Sequence, residues 1–251
     1  MNAKKIYFLS DIHLGNRYLD DPISVEKKLV GWLDRIRDDA AAVYFLGDIF
    51  DYWYEYKYVV PRGHVRFLGK LAELSDKGIE IHLFIGNHDI WMFDYLSQEI
   101  DAVIHRQPLE TELLGKKFFL GHGDEVGYRP FKYRLIQRIF RNRLCQILYS
   151  SVHPRWTFAF ARRWSLSSRT SGMAEKRLVE KQQSNVKYLR VFAQSYLQTH
   201  KDINYFIFGH IHVVLDEKLT PDSRLIITGD WLQNFSYAIW DGEKMILQNE
   251  R

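Results

Sequence analysis

The chain of 251 residues has a single cysteine, Cys145. One thiol cannot close an intramolecular disulfide or supply the sulfur ligands of a structural zinc site, and it fits a reducing compartment. Proline is sparse, six residues in all, with no proline-rich or low-complexity linker. No apolar run approaches the roughly 20 residues needed to span a bilayer. The opening Met1-Asn2-Ala3-Lys4-Lys5 leads straight into Ile6–Ser10, which is too brief for a signal-peptide core, so a cytoplasmic location is expected. Acid is nearly missing from one region. Between Glu125 and Arg190 there is no Asp and only three Glu against fifteen Lys and Arg. That stretch carries +12 in a chain of net charge +4, leaving −8 for the remainder. A sign reversal of this size marks a separate unit that faces something anionic.

What is present is ample for a packed core, since 46% of the residues are apolar. Short runs rich in β-branched and aromatic residues occur at Ile6–Ser10, Val43–Leu46, Ile79–Ile85, Phe118–Leu120 and Tyr205–Phe208. They suit strands buried on both faces. Helical patterns lie between them, roughly Ser24–Arg37 with Ser24 as N-cap, and His64–Lys77 closed by Gly78. The alternation predicts an α/β fold. From 131 the chain changes character: Phe131–Ser150 and Ala174–Thr199 read as two long helices flanking a Trp-, Phe- and Arg-rich stretch, Pro154–Arg169. Strand patterns return at Leu225–Thr228, Ser236–Trp240 and Met245–Gln248, with Asp241-Gly242 as a tight turn. The expected organisation is a core in two parts, 1–124 and 191–251, split by a basic, aromatic helical insertion, 125–190.

Each apolar run ends in a polar motif: Asp11-Ile12-His13, Gly47-Asp48, Gly86-Asn87-His88-Asp89, Gly121-His122-Gly123-Asp124 and Gly209-His210-Ile211-His212. In open α/β sheets, sites lie beyond the carboxyl ends of the strands. Five of the ten histidines fall within these motifs. Asp11 and His13 are two residues apart, as are His210 and His212, so an extended backbone would turn both members of a pair to one side. Asp48 offers a carboxylate able to bridge two cations, while Asn87 and His122 add an oxygen and an imidazole. Mixed O and N donors without sulfur suit a pair of ions such as Mn²⁺, Fe²⁺ or Zn²⁺, about 3.5–4 Å apart. Such a pair binds phosphoryl oxygens and activates water.

In this order, Asp-x-His, Gly-Asp-x-x-Asp, Gly-Asn-His-Asp, Gly-His-Gly-Asp and Gly-His-x-His resemble the calcineurin-like metallophosphoesterase superfamily over residues 6 to about 212. The resemblance implies a sandwich of two mixed β-sheets flanked by helices. It also implies one metal on Asp11, His13, Asp48 and His212 and a second on Asp48, Asn87, His122 and His210. Neither set includes His88, whose counterpart lies near the leaving-group oxygen and pairs with a carboxylate, here Asp51. Such a pairing raises the imidazole pKa and suits proton donation or a charged hydrogen bond. Asp89 and Asp124 are expected to orient neighbouring ligands.

The insertion combines its positive charge with large apolar groups, among them Phe131, Ile139, Leu144, Trp156 and Trp164. Three readings fit this pattern: an amphipathic surface lying on an anionic membrane, a helical hairpin with a solvated basic face, or a nucleic-acid contact. A basic helical insertion after Gly-His-Gly-Asp is similar to the UDP-2,3-diacylglucosamine pyrophosphatases of lipid A synthesis. That resemblance implies hydrolysis of a lipid-linked nucleotide sugar to UMP and 2,3-diacylglucosamine 1-phosphate, with peripheral attachment to the inner leaflet. Arg129, Lys132, Arg134, Ser184, Asn185 and Lys187 are then candidate substrate contacts. The chain departs from that family at His88, where Arg is common. Another dinuclear phosphodiesterase or phosphatase, including one acting on nucleic acid, is the enzyme alternative. A non-catalytic scaffold would show eroded ligands, whereas all seven positions hold competent groups.

Overall fold

The computed structural model describes residues 4–16, 21–127, 131–159 and 175–250. Two mixed sheets stack face to face, as the motif order implied. One has six strands: β1 (Lys5–Leu9), β2 (Ala40–Phe45), β3 (Glu80–Phe84), β4 (Val103–His105), β10 (Ser236–Trp240) and β11 (Met245–Asn249), in the order β11-β10-β1-β2-β3-β4. The other has five: β5 (Leu109–Leu113), β6 (Lys116–Leu120), β7 (Tyr205–Phe208), β8 (Val214–Lys218) and β9 (Arg224–Thr228), in the order β5-β6-β7-β9-β8. β1 to β4 run parallel and β10 antiparallel to β1, while β6, β7 and β9 run parallel. The parallel strands bring the ends of β1, β2, β3, β6 and β7, and with them all five motifs, to one rim.

Strand alternation divides the core into layers. Ile6, Phe8, Tyr44 and Phe84 face Phe118, Leu120, Ile207 and Ile226 between the sheets. On the outer face of the six-stranded sheet, Tyr7, Leu9, Val43 and Phe45 pack with Leu29 and Trp32 of α1 (Pro22–Ile36) and Phe67 and Leu71 of α2 (Val65–Asp76). On the outer face of the other, Phe119, Phe206 and Phe208 pack with Leu189 and Ala193 of the long helix α6 (Glu175–Tyr196). Truncating a side chain such as Trp32, 1% exposed, to Ala costs about 3–5 kcal/mol in a core of this kind.

Several local expectations change. Asp21, not Ser24, caps α1, its carboxylate accepting the N–H groups of Ile23 and Ser24. Pro22 at the first helical position presets φ and moves the start back. His64 precedes α2 in a left-handed conformation without a capping hydrogen bond, while Gly78 ends the turn with φ +80° as expected. The predicted helix Phe131–Ser150 is two helices, α4 (Phe131–Arg141) and α5 (Arg143–Ser150). They are broken at Asn142, whose side chain accepts the Cys145 N–H and so starts a new helix. Residues 154–159 are helical, while 160–169 of the aromatic stretch lie outside the described residues. Short β4 and the short helix α3 (Tyr95–Ile100) were not expected, nor were β5 and β8, which edge the five-stranded sheet.

Candidate dinuclear metal centre

Asp11, His13, Asp48, His210 and His212 all have positive φ, between 49° and 70°. Asp11 and His13 therefore do not use the extended backbone expected of them. Left-handed backbone costs energy in non-glycine residues and collects at functional sites, where the surroundings hold it in place. Here hydrogen bonds between motifs do so: Asp11 N–H donates to the Gly47 carbonyl, His13 N–H to the Asp48 carbonyl and Gly209 N–H to the His122 carbonyl. Two glycines are required by close approach. A Cβ on Gly86 would lie 2.2 Å from Asp48 Oδ1, and one on Gly209 would lie 2.4 Å from Ser10 Oγ.

The strained loops bring two groups of donor atoms together. Asp11, His13 and His212 form one, and Asp48, His122 and His210 the other, with the donor atoms of each within 4.8 Å of one another. Asp48 Oδ2 stands between them, 3.8 Å from His13 Nε2 and 3.4 Å from His122 Nε2. Asn87 Oδ1 joins the second group 3.4 Å from His122 Nε2. All seven expected ligands thus converge.

Four of the donors are aimed by a second interaction on their far side, the arrangement that fixes tautomer and direction at metal sites. Asp11 Oδ2 accepts from Ser10 Oγ and the His210 N–H at 2.6 and 2.7 Å. Asp11 Oδ1 is buried without a hydrogen-bond partner, 3.5 Å from His212 Nε2 and 4.0 Å from His13 Nε2. Asp48 Oδ1 accepts the His88 N–H at 2.8 Å, leaving Oδ2 to the imidazoles. His122 Nδ1 donates to the Leu46 carbonyl at 2.8 Å and so presents Nε2. His212 Nδ1 lies 3.5 Å from Asp230 Oδ2, which orients that ring likewise. An orphaned, buried carboxylate oxygen among imidazole nitrogens with fixed tautomers fits divalent cations.

The electrostatics agree. Burial disfavours charge on Asp48, yet the imidazoles of His122, His88 and His13 outweigh it and hold the carboxyl well below its usual range. Burial likewise opposes charge on His122, but Asp48, Asp11 and Asp124 lift its imidazole well above the ordinary value. His210, pushed down to about 4 by burial and by the charge of His122, stays neutral. A cation entering this acid-rich pocket would displace the proton from His122.

A third group, His13, Asp51 and His88, adjoins the first. The expected pairing of His88 with the Asp51 carboxylate takes a different form. His88 Nδ1 donates to the Asp51 main-chain carbonyl at 3.0 Å, and the carboxylate lies 3.9 Å away, closer to His13 Nδ1 at 3.6 Å. The outcome for His88 is still a fixed ring that presents Nε2.

Among the predicted orienting groups, Asp89 ties two motifs together. It accepts from Ile49 and Phe50 N–H with one oxygen and from Gly86 N–H with the other. Asp124 looks instead toward the helices, accepting from Tyr133 OH and Gln137 Nε2 of α4 at 3.0 and 2.8 Å. Sequence reasoning missed Ser10, Glu125 and Asp230. Glu125 holds the fourth motif by accepting the His122 and Gly123 N–H groups. Asp230 follows Gly229 at the end of β9, the Gly-Asp pattern already seen at Gly47-Asp48, so that signal was available.

The substrate candidates do not form one group. Arg129 lies outside the described residues, as does the side chain of Lys132. Arg134 lines a cavity of about 370 Å³ with Glu125 and Arg138. Ser184 and Lys187 line a different one, of about 450 Å³, with Tyr188 and Phe192, and Asn185 lines neither.

With this geometry established, comparison with known proteins defines the class. Residues 4–214 match the calcineurin-like phosphoesterase family, and the chain belongs to it. It is 49% identical to a UDP-2,3-diacylglucosamine hydrolase of Porphyromonas gingivalis, over 98% of this chain and 97% of the relative. It is 26% identical to a protein of the same name from Aeromonas salmonicida, over 96% and 92% of the two chains. Among solved structures, a dimetal phosphatase from Danio rerio aligns with 99% of this chain and 96% of its own, at 14% identity and a TM-score of 0.46.

Proposed function

We propose that this protein hydrolyses the pyrophosphate of UDP-2,3-diacylglucosamine, giving UMP and 2,3-diacylglucosamine 1-phosphate as in lipid A synthesis. The observation that carries this reading is the 49% identity, over nearly the whole of both chains, to a relative bearing that substrate in its name. Two divalent ions, Mn²⁺ first, would be held by Asp11, His13, Asp48 and His212 and by Asp48, Asn87, His122 and His210. When bound, such a pair supplies charge for the phosphoryl oxygens and a nucleophile from water at neutral pH. The protein's own groups do the rest. Asp48 and Asp11 each anchor one oxygen to the backbone and turn the other inward. His88, held by the Asp51 carbonyl, directs Nε2 toward the leaving-group oxygen, where it gives a proton or a charged hydrogen bond. One water is consumed, its oxygen ending on one phosphate and the bridging oxygen leaving with the other.

Residues 125–190 act as the unit that meets the lipid. Phe131, Leu144, Leu148 and Trp156 are each more than half exposed, and cations such as Arg138 and Arg155 lie among them. This supports attachment to the anionic inner face of the membrane from the cytoplasm. Among the described residues no helix is long and apolar enough to cross a bilayer. The test is a parallel assay of Mn²⁺-loaded protein on UDP-diacylglucosamine, bis-p-nitrophenyl phosphate and single-stranded DNA. UMP release far above hydrolysis of the generic ester is the expected result. DNA cleavage without UMP would overturn the reading.

A further inference from the structure

A cavity of about 710 Å³ opens between residues 54–57, the start of α3 and helix α5, and no member of the three donor groups lines it. Four cations do: Lys57, Arg106, Arg141 and Arg143. Two carboxylates, Glu55 and Asp94, also line it and leave the lining with an excess of two positive charges, and both already hold neutral donors. Glu55 accepts from the Trp53 indole with one oxygen and from the N–H groups of Phe93, Asp94 and Tyr95 with the other. Asp94 accepts from the Gln98 side chain.

Among the described residues none of the four cations forms an ion pair, whereas Lys5, Lys70, Arg190 and Arg224 each do. Arg106 is held by the carbonyls of Met92 and Phe93 at 2.8 and 2.7 Å, which fixes its direction without neutralising it. Arg106 and Arg143 lie 5.8 and 5.5 Å from the Phe93 ring centre. The Nε of Arg141 is buried without a hydrogen-bond partner. Like charges gathered around one cavity repel, and guanidinium forks with free donors match tetrahedral oxyanions in geometry and charge.

We propose that this cavity is a second binding site, for a phosphate group, separate from the metal centre. It stands whatever substrate the metal centre takes. Two sources offer that chemistry, a soluble phosphate ester and the headgroup of an anionic phospholipid. The second is within reach because Leu144 and Ile147 of α5, beside Arg143, are 65% and 50% exposed.

The test compares metal-loaded wild type, Arg141→Ala/Arg143→Ala, and a control, Lys201→Ala/Lys218→Ala, that removes equal charge elsewhere. Circular dichroism and metal content confirm folding. Calorimetric titration with inorganic phosphate should show two classes of site in wild type and control. One of them should be weakened at least tenfold in the arginine variant. Co-sedimentation with phosphatidylcholine vesicles, with and without phosphatidylglycerol, identifies the source. A matching loss specific to phosphatidylglycerol assigns a lipid headgroup, and unchanged vesicle binding assigns a soluble ester. A single class of phosphate site in wild type, abolished by chelating the metal, would overturn the proposal. So would an arginine variant that behaves as the control in both arms.

Discussion

The rim that carries Asp48 and His122 and the helix α5 are opposite kinds of surface. At the rim Asp11, His13, Asp48 and His122 are buried, five of the seven donors sit on left-handed backbone, and Asp11, Asp48, His122 and His212 are aimed by a second interaction, so the donor set is assembled before any ligand arrives. α5 has no buried residue and exposes Leu144, Ile147 and Leu148 beside its arginine. On the proposed function, the first surface would be completed by small cations and the second by something large, apolar and anionic. On that reading, organisation of the first kind serves hydrolysis and organisation of the second serves selection of what is hydrolysed. The two should therefore fail differently when mutated.

The largest failure belongs to Asp48, which touches both donor groups. Asp48→Ala should lower turnover on any ester by on the order of 10³-fold or more. Metal analysis should find fewer than two ions per chain. Retention of both ions with full activity would break the picture of a preassembled rim. His88→Ala comes next, with turnover reduced about 10²–10³-fold, the range for a lost general acid. Metal content should not change. Because His88 stands within ligand distance of His13 and Asp51, loss of metal from this variant would identify it as a ligand instead.

The rim was legible in the sequence and the covering surface much less so, for a physical reason. Groups able to bind metal are few in type and sit where strands end, so the convergence of Asp11, His13, Asp48, Asn87, His122, His210 and His212 could be read directly from motif and position. Their backbone could not. Spacing of two suggests extended geometry, whereas the observed left-handed φ values depend on hydrogen bonds to other motifs. β5 and β8 escaped because a half-exposed edge strand such as Leu109–Leu113 or Val214–Lys218 carries as much charge as apolar surface. The break at Asn142 was hidden inside a continuous helical period. Arg134, Ser184 and Lys187 could be nominated by charge and polarity, but which cavity each lines depends on how helices dock, and one sequence does not encode that plainly.

Asp230 extends the rim one layer outward. Its carboxylate faces His212 Nδ1 and also accepts the N–H groups of Leu232, Gln233 and Asn234. Burial opposes its charge, but His212 and those N–H groups draw its pKa down to about 2, so it is anionic throughout the physiological range. Asp230→Asn should weaken metal affinity about 10–100-fold, the usual effect of losing a ligand's orienting partner. Titration of the metal-free protein with Mn²⁺ measures this. An unchanged affinity would confine the rim's organisation to the ligands themselves.

The smallest effect is the most informative, because it tests where the two surfaces join. Asp124, next to the loop that holds His122, accepts from Tyr133 and Gln137 of α4, and Tyr188 of α6 donates to the adjacent Gly123 carbonyl. Both α4 and α6 are therefore fastened to the motif that presents His122. Each hydrogen bond to a carboxylate contributes about 1.5–3 kcal/mol at most, too little to unfold the core but enough to let α4 shift. Tyr133→Phe/Gln137→Ala should lower kcat/KM for the lipid substrate about tenfold, equivalent to about 1.4 kcal/mol and so below that ceiling. Hydrolysis of bis-p-nitrophenyl phosphate, which has no lipid to place, should stay within about twofold, and metal content should hold. Equal losses on both substrates would mean that the fastening supports the metal ligands themselves, and the division between a reacting rim and a selecting insertion would dissolve at Asp124.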